Sequence, residues 1–457
     1  MYQELLQQQK TFFNTHHTKD ISFIISSLKQ LKAEILKQET AISDAIYKDF
    51  KKPVFETYVT EISVVLQDID YAIKHIKSWS KPQRVFPALL NFPSSEFIYN
   101  EPYGNVLIIS PWNYPFQLAL APLVNAIACG NTVVLKPSEL TPHTSAIVSK
   151  IIAKVFKPGY VTVIEGAVET ATALLNLKWD YIFFTGSVKV GKIVAQAGAP
   201  HLTPMTLELG GKNPCIIDET ANIKLTAKRI VWGKFLNAGQ TCIAPDYILI
   251  HHSKKEAFYS ALKDEITIAY GENPEQSEDY TRIVNEANFK RLNSFLTNET
   301  IVIGGQTNPG DNYLAPTVLD ESNLNSEVMK DEIFGPILPV ISYTTFEDLK
   351  TTINNYAKPL ALYAFTNNNV FKTRVLKEFS FGGGVINDTI IQFTNHKLPF
   401  GGVGESGIGA YHGKYSLQTF SHQKSIVKKG NWLDLPFRYA PYTGKLKTIK
   451  KLLKFLG

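Results

Sequence analysis

The stretch Asn105-Val-Leu-Ile-Ile-Ser-Pro-Trp-Asn-Tyr-Pro115 predicts the fold of this chain. Its first five residues are typical of a short buried strand, and the prolines that follow end that strand. Helical patterns at 118–128 and 142–156 separate it from further strands at 132–135, 161–164 and 181–184. Strands that alternate with helices indicate a parallel α/β sheet, and such sheets bind ligands at the carboxyl ends of their strands.

The rest of the chain extends this pattern on both sides. Residues 1–80 are predicted to be helical with a break at Lys-Lys-Pro 51–53, and residues 96–101 are strand-like. A second α/β series is predicted from residue 215 onward. Its strands are expected at 215–217, 247–250, 338–341 and 363–365, and its helices at 223–236 and 254–270.

Size and composition indicate a globular protein of two or three domains. The chain has 457 residues, a net charge of +6 and 44% hydrophobic residues. This charge is too small for the length to indicate nucleic-acid binding. The three widely spaced cysteines fit neither a disulfide framework nor a metal site. Without a signal peptide or an apolar run of membrane-spanning length, we expect a soluble cytoplasmic protein that touches at most a membrane surface.

Cys242 is the candidate nucleophile. It follows a Gly-Gln-Thr turn at what looks like the start of an element, whereas Cys129 and Cys215 lie in apolar patterns typical of structural cysteines. Glu208 lies among apolar residues and glycines 34 positions upstream. Apolar neighbours raise the pKa of a carboxyl group, which would suit Glu208 to take a proton from a thiol or from water. A surface glutamate at a strand end is the structural alternative.

Asn113 lies between two prolines directly after a strand. A rigidly held amide donor there suits an oxyanion that forms during attack on a carbonyl, although an ordinary turn asparagine is the alternative.

Residues 185–191 contain Gly186, Ser187 and Gly191 and open a helix directly after a strand. Their Gly-x4-Gly spacing differs from the common dinucleotide motif, but a helix N-terminus in this position favours phosphate. Lys136 and Glu139 follow the neighbouring strand and are candidates for binding ribose hydroxyls. A carboxylate there would repel a 2′-phosphate and favours NAD over NADP.

Several motifs together resemble the aldehyde dehydrogenase superfamily, in the family's order and over about 300 residues. Residues 239–247 and 407–416 further resemble its class 3, or fatty aldehyde dehydrogenase, branch. The motifs are Pro111-Trp-Asn-Tyr-Pro, Lys136-Pro-Ser-Glu, Phe184-Thr-Gly-Ser, Leu207-Glu-Leu-Gly-Gly-Lys, Gly239-Gln-Thr-Cys, Glu332-Ile-Phe-Gly-Pro and Pro399-Phe-Gly-Gly-Val-Gly-Glu-Ser-Gly.

The resemblance implies a role for each candidate residue. Cys242 forms a thiohemiacetal with the aldehyde, and Asn113 with the Cys242 N–H stabilises its oxyanion. Hydride transfer to NAD, or NADP, leaves a thioester that water activated by Glu208 hydrolyses. The cofactor residues are Lys136, Glu139, Gly186, Ser187, Gly191, Leu209, Glu332 and Phe334. No metal is implied.

The resemblance also implies a Rossmann-type cofactor domain, an α/β catalytic domain and a small β oligomerisation element, assembled as a homodimer. We assign residues 1–80 and 103–207 to the cofactor domain and 208–392 to the catalytic domain. Residues 81–102 and 393–430 are expected to be bridging or oligomerisation segments.

Substrate and surface contacts stay open at this point. Tyr114, Trp232 and Phe400 either line an apolar pocket for medium- or long-chain aliphatic or aromatic aldehydes or are core aromatics. The basic tail 431–457 carries Leu446, Ile449, Leu452, Leu453 and Leu456 on one helical face, with lysines largely opposite. It could bind an anionic membrane, the partner subunit or the substrate entrance. A coenzyme A-acylating enzyme and a non-catalytic binding protein are the alternative functions.

Overall fold

The computed structural model describes the backbone of residues 2–456 and the side chains in that range apart from residues 437, 452, 455 and 456. Its helices are α1 Tyr2–Asn14, α2 Ile21–Lys37, α3 Glu39–Phe50, α4 Val54–Thr57, α5 Ser63–Trp79, α6 Gln117–Ala128, α7 Pro142–Val155, α8 Val168–Leu175, α9 Val188–Gly198, α10 Ile223–Phe235, α11 Lys255–Tyr270, α12 Glu286–Ser294, α13 Glu327–Lys330, α14 Phe346–Asn354, α15 Asn369–Glu378, α16 Lys414–Thr419 and α17 Leu446–Leu456.

The strands follow the predicted alternation with helices. They are β1 Gln83–Val85, β2 Ser94–Pro102, β3 Asn105–Ile109, β4 Thr132–Lys136, β5 Val161–Val163, β6 Tyr181–Thr185, β7 Met205–Glu208, β8 Pro214–Ile217, β9 Tyr247–His251, β10 Thr300–Ile303, β11 Thr307–Asn308, β12 Tyr313–Leu314, β13 Thr317–Asp320, β14 Ile337–Tyr343, β15 Ala361–Phe365, β16 Gly383–Ile386, β17 Gly407–Ile408 and β18 Ser421–Lys429.

The first large sheet has the strand order β17-β7-β6-β3-β4-β5 and is parallel except for the short strand β17. From β3 the chain builds outward through β4 to β5, then returns to place β6 on the other side of β3. This reversal is a topological switch point, where the loops that leave the neighbouring strands diverge and a ligand can bind between them. The predicted α/β fold is confirmed.

The second large sheet has the order β10-β13-β14-β9-β8-β15-β16 and is parallel except at β10. Every strand predicted in this half is present. The prediction missed three strands of this sheet, β10, β13 and β16. Glycines weaken the strand signal of β16, and the short edge strand β10 is mostly exposed. Tertiary pairing with neighbouring strands stabilises all three.

A third, three-stranded sheet has the order β1-β2-β18 and consists of residues from the two segments predicted as bridging. The second of those segments also contributes β17 to the first sheet, where Gly407 pairs with Glu208. Within residues 2–456, no helix is both long enough and apolar enough to cross a membrane.

The N-terminal helices pack against the first sheet. The break predicted at 51–53 is confirmed, because α3 ends at Phe50 and Lys51 adopts a left-handed conformation with φ of 54°. Buried apolar residues of α2, α3 and α5 share one core with those of α6 and α7. The short segment between α3 and α5 thereby reaches the loops at the sheet's carboxyl edge.

Candidate active site

The carboxyl ends of the first sheet bring the predicted residues together. Asn113 follows β3, Lys136 ends β4, Gly186 follows β6 and Glu208 ends β7. Because these strands are parallel neighbours, their ends lie along one edge. The second half of the chain supplies Cys242, so the candidate nucleophile reaches this edge from the other α/β series.

Cys242 does not begin an element, which corrects the sequence-based expectation. It lies in a turn between a 3₁₀ segment, Leu236–Gly239, and β9, which begins at Tyr247. Asn237 and Ala238 both have left-handed backbone conformations, with φ of 53° and 51°, and Gly239 follows with φ of 71°. A left-handed conformation costs a residue other than glycine on the order of 1–2 kcal/mol, so contacts must hold this turn.

Asn113 is bound to that turn. Its Nδ2 donates to the Gln240 carbonyl at 3.0 Å, and its own carbonyl accepts from Asn237 Nδ2 at 2.8 Å. An amide has two N–H donors, and the first of these bonds uses one of them. Asn113 is thereby held against Gln240, which precedes Cys242 by two residues. An oxyanion donor has to be fixed close to the nucleophile in this way.

Glu208 is buried, with only 3% of its surface exposed. Neither carboxylate oxygen has a hydrogen-bond partner among the described residues. Burial raises the pKa of this carboxyl group well above its ordinary value, as the apolar neighbours predicted. The surface alternative is therefore wrong, and Glu208 is a free buried acid whose oxygens are available to water or substrate.

The Cys242 thiol lies within the electrostatic reach of two acids. Burial raises its pKa, and the negative charges of Glu332 and Glu208 raise it further. The backbone N–H groups of Cys242 and Ile243 act in the opposite direction. The net shift is upward, so the resting thiol keeps its proton at neutral pH and a base must remove it before attack.

The predicted phosphate-binding residues 185–191 lie at a helix N-terminus. Ser187 caps α9, its hydroxyl accepting from the Val190 N–H at 3.4 Å. Leu209 packs directly against Gly191, where a Cβ would lie 2.7 Å from Leu209 Cδ2. This close contact brings α9 against the end of β7 beside Gly186. The N–H groups of a helix N-terminus suit the pyrophosphate of a dinucleotide.

The predicted ribose-binding residues form an ion pair. Lys136 is buried at the end of β4, and its Nζ lies 2.5 Å from Glu139 Oε2. The pair presents a carboxylate together with an ammonium group, which are chemically suited to ribose hydroxyls.

Glu332 and Phe334 come from the loop before β14. The Glu332 carboxylate lies against Gly210, where a Cβ would be 2.1 Å from Oε2 and would displace the carboxylate. Burial, followed by the charge of Asp246, raises the pKa of Glu332 to about 8. The Phe334 ring meets the Trp112 ring edge-on at 5.2 Å. Both loop residues therefore lie beside the motifs that carry Glu208 and Asn113.

The predicted pocket aromatics differ in their surroundings. The Tyr114 hydroxyl lies 2.7 Å from Thr241 Oγ1, next to Cys242, and its ring is buried. Phe400 is half-buried and stacks on the His412 ring at 5.5 Å. Trp232 lies on α10 and is 47% exposed. The pocket role of all three residues stays a prediction.

Sequence reasoning missed a group of buried charges between α3 and α5. Lys52 and Glu61 are fully buried and form an ion pair of 2.8 Å, and Lys52 Nζ lies 4.0 Å from the centre of the Tyr114 ring. Glu61 Oε2 accepts the N–H of Phe116 at 2.8 Å, just after the Asn113 motif. Charged residues in a helical pattern are typical of a solvated face, so the sequence carries no signal for this arrangement.

Comparison with known proteins identifies the family. The aldehyde dehydrogenase family model matches residues 5–426. The chain belongs to the aldehyde dehydrogenase family. It is 49% identical over 447 residues, 97% of each chain, to the 4,4'-diaponeurosporen-aldehyde dehydrogenase of Staphylococcus aureus. It is 43% identical to aldehyde dehydrogenase family 3 member A2 of Rattus norvegicus, over 93% of this chain and 88% of that one.

A solved structure has nearly the same fold. The substrate-bound S. aureus AldH superimposes with a TM-score of 0.97 at 47% identity, covering 99% of each chain. The predicted class 3 resemblance is confirmed. This aldehyde dehydrogenase is an oxidoreductase that acts on aldehydes with NAD(P) as cofactor. The non-catalytic alternative is thereby wrong.

Proposed function

We propose that this enzyme oxidises its aldehyde hydrolytically through Cys242. The Cys242 sulfur adds to the carbonyl carbon, and the resulting oxyanion is held by Asn113 Nδ2 and the Cys242 N–H. Bound NAD(P)⁺ supplies the acceptor for the hydride that leaves this carbon. Water then attacks the thioester carbon while Glu208 takes its proton, which releases the carboxylic acid and restores the thiol.

The free carboxylate of Glu208 is the observation that carries this proposal. Both oxygens are buried without a partner among the described residues, and the charge of Glu208 acts on Cys242. The raised pKa of the thiol requires a base, and the thioester requires an activated water. One unpartnered carboxylate within electrostatic reach of the sulfur can activate the water that hydrolyses the thioester.

Product analysis distinguishes hydrolysis from acyl transfer to coenzyme A. Hexanal, decanal and benzaldehyde are each incubated with NAD⁺, with and without coenzyme A. We expect NADH and the free acid to form in equal amounts in both cases. A strict requirement for coenzyme A, with an acyl-coenzyme A product, would overturn the hydrolytic proposal.

We assign medium- or long-chain aliphatic or aromatic aldehydes as the substrate class. The aromatic rings of Phe393, Phe400 and His412 pack together next to Tyr411. Burial raises the pKa of the Tyr411 phenol, and the charges of Glu208, Asp68 and Cys242 raise it further. An apolar aromatic wall near the sulfur favours an apolar substrate. The relative named for 4,4'-diaponeurosporen-aldehyde supports a large apolar aldehyde. A kcat/KM that rises from hexanal to decanal supports this class, and a preference for the shorter chain contradicts it.

NAD is proposed as the preferred cofactor, on the basis of Glu139. Its side chain is about one-third exposed and paired with Lys136 beyond the end of β4, and a carboxylate that binds the adenosine ribose would repel a 2′-phosphate. We expect Glu139→Gln to improve kcat/KM for NADP⁺ by about tenfold, because repulsion of the 2′-phosphate is lost. The value for NAD⁺ should change less. Unchanged discrimination between the two cofactors would remove Glu139 from this role.

A homodimer is proposed to form through the three-stranded sheet. Strand β18 is nine residues long, pairs on one side with β2, and is exposed over most of its length. Ile426 and Val427 are exposed on it. A long exposed edge strand is a template for pairing with a second copy. Sedimentation is expected to give about twice the 51.1 kDa chain mass, and a monomer would contradict the proposal.

The basic tail is proposed to bind anionic membranes. In α17, Leu446 and Leu453 are 61% and 48% exposed, whereas the predicted face residues Leu452 and Leu456 lie outside the described side chains. Lysines 447, 450, 451 and 454 belong to the same helix. Exposed leucines combined with lysines suit the interface of an anionic bilayer.

Deleting 443–457 is expected to reduce binding to phosphatidylglycerol vesicles at least about tenfold, because electrostatic and apolar contacts are lost together. Oxidation of soluble hexanal should remain. A matched variant with lysines 447, 450, 451 and 454 changed to glutamine keeps the leucines. It therefore distinguishes the electrostatic contribution to vesicle binding from the apolar one. Equal partitioning of all three proteins would refute the membrane proposal.

A further inference from the structure

The turn that presents Cys242 is held in a conformation that its own residues disfavour. Asn237 and Ala238 are both buried and left-handed, and they directly precede Gly239-Gln-Thr-Cys242. Residues other than glycine adopt this conformation only where surrounding contacts over-determine it. The contacts that hold these two residues therefore also set the position of the sulfur.

Bonds within the catalytic loops account for part of this restraint. Gln240 Nε2 donates to the carbonyls of Asn237 and Arg282, at 3.1 and 3.0 Å, and Gln240 Oε1 accepts the Val284 N–H at 3.0 Å. These bonds fix the end of the turn that follows Ala238. They leave the backbone N–H of Asn237, at its beginning, to be held by another group.

That group is Glu56, from a distant part of the chain. Glu56 Oε1 accepts the Asn237 N–H at 2.7 Å, across 181 residues of sequence. The carboxylate is buried on α4. A carboxylate that accepts from a backbone N–H forms one of the stronger hydrogen bonds in proteins. The bond joins the N-terminal helices to the first residue of the strained turn.

The surroundings of Glu56 act on its ionisation in both directions. Burial opposes the ionised form, as do the negative charges of Glu61 and Asp279, whereas Lys52 and the Asn237 N–H favour it. The result is a pKa raised to about 7. Lys52 in turn is fixed by Glu61, at 2.8 Å. An ionisable group is costly at a buried position, so a hydrophobic residue would serve better there if Glu56 only filled space.

We propose that Glu56 is a positioning residue for the nucleophile, which holds the left-handed turn 237–239 through the Asn237 N–H and so aims Cys242 at the substrate carbonyl. This inference rests on the proposed role of Cys242. It extends the site to the N-terminal helical segment, which contributes no residue to the chemistry itself.

The test compares Glu56→Ala, Glu56→Gln and, as a matched control for the loss of a buried carboxylate, Asp68→Asn. Asp68 is buried on α5 and makes no hydrogen bond to the turn. We expect Glu56→Ala to lower kcat by about 100-fold with little change in KM for NAD⁺, because a small displacement of a reacting group has an effect of this size. Glu56→Gln, which keeps an oxygen acceptor, should lose less than about fivefold. Asp68→Asn should keep its kcat.

Two further measurements separate positioning from general destabilisation. The rate of Cys242 alkylation by iodoacetamide, followed by mass spectrometry, should fall in Glu56→Ala in parallel with kcat. Adding Ala238→Gly should restore part of both losses in either Glu56 variant, because glycine adopts the left-handed conformation without a restraint. The glutamine variant provides the same comparison if Glu56→Ala does not fold.

Unchanged kcat and alkylation in Glu56→Ala would overturn the proposal. So would losses that Ala238→Gly does not relieve and that extend equally to NAD⁺ binding, since these indicate a structural role only. The alkylation rate depends on the exposure and ionisation of the Cys242 sulfur and does not require turnover. It therefore tests the positioning role of Glu56 even if Cys242→Ala were to retain turnover. That outcome would refute the nucleophilic role of Cys242 and not the role of Glu56 in holding the turn.

Discussion

Replacing Cys242 with alanine is expected to reduce aldehyde oxidation by about 10⁴-fold or more, measured as NADH formed from decanal. Losses of this size follow removal of a covalent nucleophile, because the remaining binding groups cannot form the intermediate. Neither remaining cysteine lies in the turn of Cys242, since Cys215 is buried within β8 and Cys129 directly follows α6. Binding of NAD⁺, followed by fluorescence, should stay within about threefold of wild type.

Cys129→Ala serves as the matched control for Cys242→Ala. Cys129 lies at the end of α6, and burial raises its pKa to about 12, so it stays a thiol at neutral pH. The control variant should keep wild-type turnover. Substantial oxidation by Cys242→Ala, or loss of oxidation in Cys129→Ala alone, would mean that the nucleophile is assigned wrongly.

Replacing Glu208 with glutamine is expected to slow turnover by about 10²–10⁴-fold, because a positioned general base contributes an effect of that order. If Glu208 activates the hydrolytic water, the acyl group should remain on Cys242. Mass spectrometry of the protein after mixing with decanal and NAD⁺ should then show the mass of the thioester. A single burst of NADH should precede the slow phase.

The pH profile gives an independent measure of the same residue. Burial raises the pKa of Glu208, so its carboxylate forms only as the pH rises, and wild-type kcat should increase with pH through that ionisation. Glu208→Gln should lose this dependence. Glu332→Gln is the necessary comparison, because Glu332 also acts electrostatically on the thiol. A thioester that accumulates in Glu332→Gln and not in Glu208→Gln would transfer the role of base to Glu332.

The sequence was sufficient to predict the parallel sheets and the motifs along their edge. Strands such as β3 and β9 are continuous apolar runs, and local composition alone identifies them. The sequence was less informative about strands that are stabilised by pairing with a distant segment. β18 carries lysines and is exposed, and β16 contains two glycines, so neither has a strong local signal.

In the candidate site, too, the sequence predicted what local motifs carry and missed what depends on distant contacts. Cys242, Glu208 and Asn113 were predicted because each lies in a distinctive motif, and the structure brings all three motifs together at one edge. The sequence also predicted a raised pKa for Glu208, because the apolar neighbours that cause it are adjacent in the chain. The position of Cys242 in a left-handed turn was missed, since that conformation depends on contacts with residues far away in the sequence.

By itself, the sequence determined the family and the cofactor class and predicted the residues that carry the chemistry, because these depend on residue types within short motifs. Only the tertiary structure decided the electrostatic environment of the Cys242 thiol, where Glu208 and Glu332 approach from separate loops. It alone also assigned a partner to Glu56, 181 residues from the turn it holds. Burial and hydrogen bonding between distant segments are properties of the packed chain, and no local pattern encodes them.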